Sequence, residues 1–435
     1  MILLSLATAA EFGLGSYGRV QVSTEAQGGQ GEPADVVLYP SRLQKDPYVE
    51  VDLWWRAEAE DGAAFKAVFT PALAGELFHY DGSFDADLAV RNLYVEATGL
   101  GAAQLSAWAG SRMYRGEDVY LLDFWPLDEI NTVGGGFRAA PGRWQFLVHG
   151  GLSRPVADEY QLQYLDVPEA GGVGTDEVLA LDRQRAIASL GVVHDLPLGE
   201  ATLRLKAWGE GHQLPPGERE VDGIVEALPR DGGALAGVMV GASGWRPGSH
   251  VNLWGRLATG LATCGELGVP EDGLALDGTV ADAREGLFAV SAAEQVGRVG
   301  LLVGAYARRY DDADGQSDDV DDRWEMNVAL RPAIHVGEHV QLAMEVSHQW
   351  LRPDGLNPQT DTYAAPQVTK IAVLPALQLA PSILSRPQLR LQYVYSHLSD
   401  DARLWFPAGD ARRDNTHQHF VGLGAEWWID SASYR

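Results

Sequence analysis

Residues 420–429 read FVGLGAEWWI, and this stretch decides the fold class. Its side chains alternate between an apolar face and a mixed face, which is typical of a β-strand with two different surroundings. The apolar face carries Val421, Leu423, Ala425, Trp427 and Ile429, and the mixed face carries Phe420, Gly422, Gly424, Glu426 and Trp428. An unbroken apolar stripe suits lipid, and a glutamate on the opposite face suits a water-filled lumen. In a soluble sandwich Glu426 would instead face outward, so the alternation alone leaves both folds open.

The same alternation recurs along the chain from Phe12 onward, in segments such as 12–22, 48–56, 201–208, 323–331 and 388–395. Tight turns separate some of these segments, and long polar stretches separate others, at 157–180, 212–234, 264–286, 311–322 and 398–416. Short turns at one end and long loops at the other are typical of outer-membrane barrels. We therefore predict an all-β fold, a transmembrane antiparallel β-barrel that forms a single domain over residues 11–435.

Composition excludes several classes of protein. The 435 residues include 60 acidic and 33 basic side chains, a formal net charge of -27, which argues against nucleic acid as a partner. The single cysteine, Cys264, excludes an intramolecular disulfide framework and a multi-cysteine metal site. Because no stretch reaches the roughly 18 consecutive apolar residues of a membrane helix, a helical membrane protein is excluded too.

The first ten residues, MILLSLATAA, form a short apolar run that ends in small residues. Ala7-Thr8-Ala9 fits the A-x-A pattern of signal-peptide cleavage, although the basic residues that normally precede such a run are missing. The alternative is that the run belongs to the first strand. We interpret residues 1–10 as a truncated signal peptide, which predicts an exported protein.

Residues 108–137, WAGSRMYRGEDVYLLDFWPLDEINTVGGGF, mix charges and aromatic rings without a regular period. Pro126 in the middle disfavours a helix, and long ordered loops of this kind often carry function. Rings can cover the apolar faces of a pyranose while guanidinium and carboxylate groups bind its hydroxyls. The segment therefore indicates a sugar-binding loop, with an ordinary surface loop as the alternative.

Five segments together resemble the sugar-specific porins of the maltoporin type. They are GSYGRV at 15–20, YVEVDL at 48–53, WAGSRMYRGEDVYLLDFW at 108–125, SRPQLRLQYVYS at 385–396 and GLGAEWW at 422–428. The resemblance implies an eighteen-stranded barrel with a long third loop folded into the pore. It also implies a homotrimer in the outer membrane of a Gram-negative bacterium, in contact with lipid and lipopolysaccharide, that allows facilitated diffusion of oligosaccharides.

The resemblance further implies an aromatic slide along which sugar rings move, formed here by Tyr17, Tyr48, Trp428 and, on a poorly preserved motif, Trp254. One position departs from the family, because Leu384 stands where the family has a tryptophan before S-R-P. A slide aromatic on the second loop corresponds to Phe78 or Tyr80, and the sequence does not choose between them.

A polar track and constriction are implied in the same way, formed by Arg19, Arg42, Glu50, Arg91, Arg115, Asp118, Asp123 and Trp125. Trp125 stands where the family has a constricting tyrosine. The family arginine two residues before Asp118 is Gly116 here, so either Arg115 substitutes for it or the constriction is wider.

The residues themselves support a saccharide lumen independently of the resemblance. An aromatic ring and a charge lie two residues apart, about 7 Å along a strand, in three places: Tyr17 with Arg19, Tyr48 with Glu50, and Trp428 with Glu426. Aromatic residues that only pack the lumen or anchor the wall at the membrane interface are the alternative. The carboxylates of Asp118 and Asp123 also predict a modest cation preference, which the track arginines oppose.

No cofactor is predicted, although structural calcium is an alternative at the acidic run Asp311–Asp322. That run lacks the EF-hand spacing, and a solvated loop is the simpler interpretation. The GxGxxG match at Gly13–Gly18 lies inside a strand rather than between a strand and a helix, so it does not predict a nucleotide site. No catalytic triad or paired-carboxylate signature stands out, and no enzyme activity is predicted.

The sequence therefore predicts a passive outer-membrane porin for maltodextrin-like or other oligosaccharides. A general or differently selective porin on the same barrel is the first alternative, because of Leu384 and the shifted Arg115. A secreted carbohydrate-binding β-protein is the second.

Overall fold

The computed structural model describes residues 7–26, 33–75, 87–101, 104–154, 159–270, 273–315, 320–357 and 360–430. The strands are β1 (Ala7–Glu25), β2 (Tyr48–Ala59), β3 (Ala64–Ala74), β4 (Asp87–Leu100), β5 (Leu105–Arg115), β6 (Glu129–Ala139), β7 (Trp144–Ser153), β8 (Leu162–Pro168), β9 (Thr175–Asp182), β10 (Arg185–Leu198), β11 (Ala201–Leu214), β12 (Gly217–Val221), β13 (Ile224–Leu228), β14 (Asp231–Ser243), β15 (His250–Gly260), β16 (Arg284–Val296), β17 (Val299–Asp311), β18 (Arg323–Val336), β19 (Val340–Pro353), β20 (Leu356–Asn357), β21 (Thr362–Tyr363), β22 (Gln367–Gln378), β23 (Gln388–Leu398) and β24 (His417–Ile429). Two short helices follow β23: α1 (Asp400–Leu404) and α2 (Ala411–Asp414).

Within the described residues, 18 of these strands form one antiparallel sheet, and three hairpins (β8–β9, β12–β13 and β20–β21) lie in its loops. Strand β1 pairs with β2 on one side and with β24 on the other, so the sheet closes on itself. Trp427 Nε1 donates a hydrogen bond of 3.0 Å to Ser16 Oγ across this seam. The predicted eighteen-stranded β-barrel is confirmed. Residues 1–6 lie outside the described residues, and the signal peptide at 1–10 stays a prediction.

The two faces of the wall have the polarity expected in lipid. Phe12 and Leu423 point away from the barrel with 81% and 58% of their surface exposed, whereas Glu426 on the opposite face is 6% exposed. A sandwich would bury the apolar stripe and expose the glutamate. Since the stripe is exposed and the charge enclosed, the alternation quoted first marks an apolar outside and a polar inside.

Connections differ in length between the two ends of the barrel. At one end they are short, as at 60–63, 140–143, 199–200, 297–298 and 337–339, and at the other they are long, as at 116–128, 215–230 and 399–416. In the last of these, α1 begins after Ser399, whose hydroxyl accepts a hydrogen bond from Ala402 N. No helical segment in the part of the chain that the structure describes is long and apolar enough to span a membrane.

Two loops fold into the barrel rather than away from it: inner loop 3, residues 116–128, and inner loop 1, residues 33–47. A third loop folded into the pore was predicted, over residues 108–137, but only 116–128 leaves the wall, because the flanking residues pair with each other as β5 and β6. The apolar side chains of inner loop 3 are buried against β17, where Gly304 leaves room for Val119 and Leu121. A Cβ added at Gly304 would lie 3.0 Å from Leu121 Cβ and 3.1 Å from Val119 Cγ1, so the loop rests directly on the wall.

Inner loop 1 packs beside inner loop 3. The Tyr39 ring stacks on Phe124 with centroids 3.8 Å apart, and Arg42 N donates to Leu121 O at 2.9 Å. The backbone of inner loop 1 also binds the wall, since Leu38 N donates to Glu325 Oε2 at 2.8 Å. Together the two loops narrow the lumen.

Candidate functional site

A row of alternating charges on β15–β18 holds the inner loops in place, and we call it the anchor ladder. Its members are Arg256, Glu285, Arg308 and Glu325. Arg308 donates to Glu285 at 2.6 Å and to Glu325 at 2.5 Å, and Arg256 donates to Glu285 at 2.6 Å. Arg256 also donates to the carbonyl of Pro126 at 2.9 Å, while Glu325 accepts from inner loop 1. Each glutamate is therefore bound by an arginine and the ladder joins both loops to the wall.

At the constriction, Asp123 of inner loop 3 lies among three cations. Arg19 lies 3.2 Å from its carboxylate, Lys45 3.7 Å and Arg42 3.9 Å. Burial alone would raise the pKa of Asp123, but the three cations, with a smaller contribution from Arg115, outweigh burial and lower it. Asp123 is thus held in its charged form, and the three cations already balance its negative charge.

A second carboxylate, Glu426, lies on β24, opposite Arg19 of the neighbouring strand β1, and cations also bind it closely. Arg42 donates to it at 2.6 Å, Arg386 lies 2.8 Å from it, and the Tyr120 hydroxyl donates at 3.2 Å. The Tyr120 ring lies under the Arg42 guanidinium, 4.5 Å from ring centroid to Cζ. Inner loop 3 is therefore tied to the β24 wall by the Tyr120 hydrogen bond and to inner loop 1 by the cation–π contact with Arg42.

Asp118 differs from these two carboxylates. Among the described residues, its side chain makes neither a hydrogen bond nor an ion pair with another side chain, and it lines a cavity of about 350 Å³. Burial raises the pKa of Asp118 to about 6; Arg42 lowers it in part and Asp123 adds to the rise. Asp118 is a carboxyl group available to a solute in the pore.

The same cavity brings together most of the predicted slide. Tyr17, Trp428 and Leu384 line it, and the Tyr48 ring lies 5.9 Å from that of Tyr17. Trp428 is partly exposed and lies edge-on to Tyr120 at 6.1 Å, while Tyr17 is 3% exposed. The aromatic rings and the constriction charges thus share one cavity.

Three residues of the predicted polar track, Glu50, Arg91 and Arg115, do not line this cavity. Tyr48 donates to Glu50 at 2.6 Å and accepts from Arg91, so these side chains bind one another. Arg115 lies over Trp125 at 3.8 Å and donates to Glu129 at 2.6 Å. Trp125 itself lines the cavity.

Trp254 and Gly116 are positions at which this chain departs from the expected slide and constriction. Trp254 is 1% exposed within the apolar cluster beneath the inner loops, so the structure does not place its ring with the other slide residues. A Cβ added at Gly116 would lie 2.1 Å from the Asp128 carboxylate, so a larger side chain there would displace Asp128. Phe78 and Tyr80 lie outside the described residues.

A separate chamber of about 410 Å³ is lined by Gly116, Glu117 and Asp128 at the two ends of inner loop 3 and by side chains of the neighbouring wall. Its aromatic rings cover one another, since Tyr114 stacks on Trp208 at 6.0 Å and Trp108 stacks on His149 at 5.4 Å. Glu117 is bound by Lys206 and Arg204, which outweigh its burial and lower the pKa of Glu117 to about 2. This chamber is charged but internally paired.

Comparison with known proteins places the chain in a family. The model of the LamB porin family matches residues 12–428. The chain belongs to the LamB porin family. It is therefore an outer-membrane β-barrel porin of the Gram-negative type, a channel rather than an enzyme by its family and fold. The family resemblance predicted from the sequence is confirmed.

The chain is also similar to several solved porins at low sequence identity. OccK1 of Pseudomonas aeruginosa is 12% identical, with a TM-score of 0.46 over 98% of this chain and 99% of that one. OccK2 of the same organism is 12% identical, with a TM-score of 0.45 over 98% of each chain. OmpT of Vibrio cholerae is 11% identical, with a TM-score of 0.39 over 98% of this chain and 100% of that one. No curated protein matches the chain.

Three charged residues and one tyrosine of this LamB porin were not assigned a role from the sequence. Lys45, Tyr120, Arg386 and Arg390 all line or contact the constriction. A signal for two of them was present, because Arg386 and Arg390 are the arginines of the S-R-P-x-x-R motif. The position of Lys45 depends on the path of inner loop 1, which has no periodic pattern.

The geometry does not decide whether structural calcium, the alternative to the prediction of no cofactor, binds at the acidic run Asp311–Asp322. In the described part of this LamB porin, no three or more His, Cys, Asp or Glu side chains are grouped to hold a metal ion. Residues 316–319 of the acidic run lie outside that part, so calcium there stays an untested alternative to the prediction of no cofactor.

Proposed function

We propose that this LamB porin conducts saccharides of the maltodextrin type or similar size past the constriction. The observation that carries the proposal is the cavity of about 350 Å³ in which Tyr17 and Trp428 lie beside Asp118 and Arg42. Rings suit the apolar faces of a sugar, while a carboxylate and a guanidinium accept from and donate to its hydroxyls. The Asp118 carboxyl is the group with binding capacity left for such a solute.

Sugars would pass the constriction by facilitated diffusion, because groups that bind them line a channel enclosed by the barrel wall. We also propose that the protein forms a homotrimer in contact with outer-membrane lipid and lipopolysaccharide. The family resemblance of the sequence supports the trimer, and the exposed apolar stripe on the outer wall supports the lipid contact.

Sugar block of single-channel current tests the proposal. The purified protein is inserted into a planar lipid bilayer in potassium chloride, and maltotriose is titrated on either side. We expect transient, concentration-dependent closures of the open channel. A channel that conducts ions and whose current maltotriose leaves unchanged at any concentration would contradict a sugar pore.

A second candidate function is a porin that passes small solutes without sugar preference. Leu384 favours it, because the slide then lacks one ring at the Trp428 cavity. The same titration separates the two, since a channel without preference conducts maltotriose-sized solutes without defined closures.

A further inference from the structure

A small space of about 20 Å³ beside the constriction is lined by ten residues, four of which are cations and one of which is an acid. We call it the cation niche, formed by Arg19, Arg42, Lys45, Arg390 and the carboxylate of Glu426. The space has room for a water-sized group, not for a sugar ring. Any solute part that enters the niche must therefore be small and must suit positive charge.

The carboxylates near the niche do not balance its cations. Arg42 and Arg386 share Glu426, at 2.6 Å and 2.8 Å. Arg19, Arg42 and Lys45 share Asp123. The niche and these direct ion-pair partners thus hold more cations than carboxylates.

Arg390 is the cation of the niche that this arrangement leaves without a direct ion pair, because Glu426, whose charge acts on it, is bound by Arg42 and Arg386. Within the described residues its guanidinium forms no ion pair, and its Nε is buried with no hydrogen-bond partner. Nearby, Arg331 is bound to Glu345 at 2.6 Å, so that glutamate is already engaged. A partly buried guanidinium without an ion-pair partner is costly, and an anion that binds it regains part of that free energy.

We propose that the preferred solute of this porin is an anionic saccharide, whose carboxylate or other oxyanion binds Arg390 in the cation niche. The inference rests on the proposed sugar pore and names its substrate class. Arg42 lines both the niche and the larger cavity, so one solute can reach both. Its oxyanion enters the niche, where guanidinium groups offer paired donors, while its ring lies beside Tyr17 and Trp428.

This inference differs from the cation preference expected from the sequence. That expectation counted Asp118 and Asp123 as free negative charges in the pore. The structure places Asp123 among three cations, so it no longer provides an attractive field for a cation. The chain as a whole carries a formal net charge of -27, and the niche is a local exception to it.

Two measurements on bilayer-inserted protein test the inference. The reversal potential across a potassium chloride gradient reports ion preference, and the half-blocking concentrations of trigalacturonate, glucose 6-phosphate and maltotriose report solute preference. We expect an anion-side reversal potential and a trigalacturonate half-block at about one tenth of the maltotriose concentration, as a charge-assisted contact would give. Block by glucose 6-phosphate but not by trigalacturonate would assign the niche to phosphate, and inorganic phosphate competing with either acidic sugar would confirm that the oxyanion binds.

Arg390→Gln removes the unpaired charge and should raise the trigalacturonate half-block about tenfold while changing that of maltotriose by less than about twofold. Arg390→Lys keeps the positive charge but loses the paired N–H donors of the guanidinium. It should therefore retain the reversal potential and still weaken the binding of trigalacturonate. Arg246→Gln is the matched control, because Arg246 is half-exposed in the turn after β14 and pairs with Glu294 at 2.6 Å. It should change neither quantity.

The outcomes separate the two proposals. Equal block by the acidic and neutral sugars, with a cation-side reversal potential, would overturn the anionic class and leave the sugar pore intact. An open channel that no sugar blocks would overturn the sugar pore itself. If Arg390→Gln fails to fold, judged by the loss of its heat-modifiable band on gels, Arg390→Lys and the unmodified protein still decide the question.

Discussion

The anchor ladder and the cation niche are both rows of lumen charges, yet they are built differently. In the ladder, Glu285 accepts from two arginines and Glu325 accepts from Arg308, Tyr306 and inner loop 1, and both carboxylates are 1% exposed. In the niche, Arg390 has no ion-pair partner in the described residues. The difference teaches that paired charges in this lumen fix the loops, whereas unpaired charges are available to a solute.

The largest expected effect comes from breaking the ladder. Arg308→Gln leaves Glu285 and Glu325 enclosed with fewer donors, and losing one partner of a buried ion pair lowers the free energy of unfolding by about 3–5 kcal/mol. Urea-induced unfolding in detergent micelles, followed by tryptophan fluorescence, measures the change. Single-channel conductance should also rise and become noisy, because both inner loops are held through this ladder.

Arg56→Gln is the control for that variant. Arg56 pairs with Glu58 at 3.0 Å, but both side chains are more than 40% exposed, so the loss should stay below about 1 kcal/mol. Equal destabilisation by the two substitutions would show that the ladder is no more than a set of surface pairs.

The next effect is on solute binding rather than stability. Trp428→Ala removes a ring that lines the cavity, and we expect maltotriose binding to weaken by about 1–3 kcal/mol, by analogy with base–aromatic stacking. Ion conductance should persist. Trp324→Ala is the matched control, because Trp324 lies on the outer wall with 46% of its surface exposed. If both variants keep the same half-blocking concentration, Trp428 is a packing residue.

The smallest effect is a pH dependence at Asp118. Burial raises the pKa of Asp118 to about 6. The charge of Asp123 adds to this rise, while Arg42 and Arg115 oppose it. Below that pH the group is neutral, and above it a carboxylate accepts sugar hydroxyls more strongly. Maltotriose block should therefore strengthen about fivefold as the pH rises through about 6, because a charged acceptor adds about 1 kcal/mol. A pH titration of the half-blocking concentration measures this.

Asp118→Asn should remove that dependence and hold the block near its low-pH strength. Arg19 and Arg42 stay protonated across the same range. His250 lines the same cavity, and its imidazole is the other group there that can titrate in this pH range. A dependence that survives in Asp118→Asn would assign the titration to another group.

A feature of the fold or of the site could be predicted from the sequence where neighbouring residues in the chain determine it. The wall was predictable, because alternation at positions such as Leu423 and Glu426 is written into each strand. Arg19 and Asp123 came from the family resemblance, and the structure places them 3.2 Å apart. Trp254 matched only loosely, and its burial follows from the path of inner loop 3, which no local pattern specifies.

The imbalance of the niche was not predictable for a related reason. Whether an arginine is paired depends on strands far apart in the chain, as with Arg42 and Glu426, which are separated by 384 positions. Residue types alone cannot show which of several arginines obtains a shared carboxylate. Arg390 was in a quoted motif, yet its lack of a partner is visible only once β23 and β24 lie side by side.

The seam between β1 and β24 has a consequence for how the protein is made. Ser16 and Trp427 meet across 411 positions, and bringing chain ends together over such a distance costs about 5 kcal/mol of loop entropy. Until β24 has been synthesised, β1 has an unpaired edge that can join another chain. A nascent chain of this porin therefore needs protection from aggregation until its last strand arrives. Cutting the chain before His417 would leave a sheet that cannot close, and would remove the Glu426 counter-charge as well.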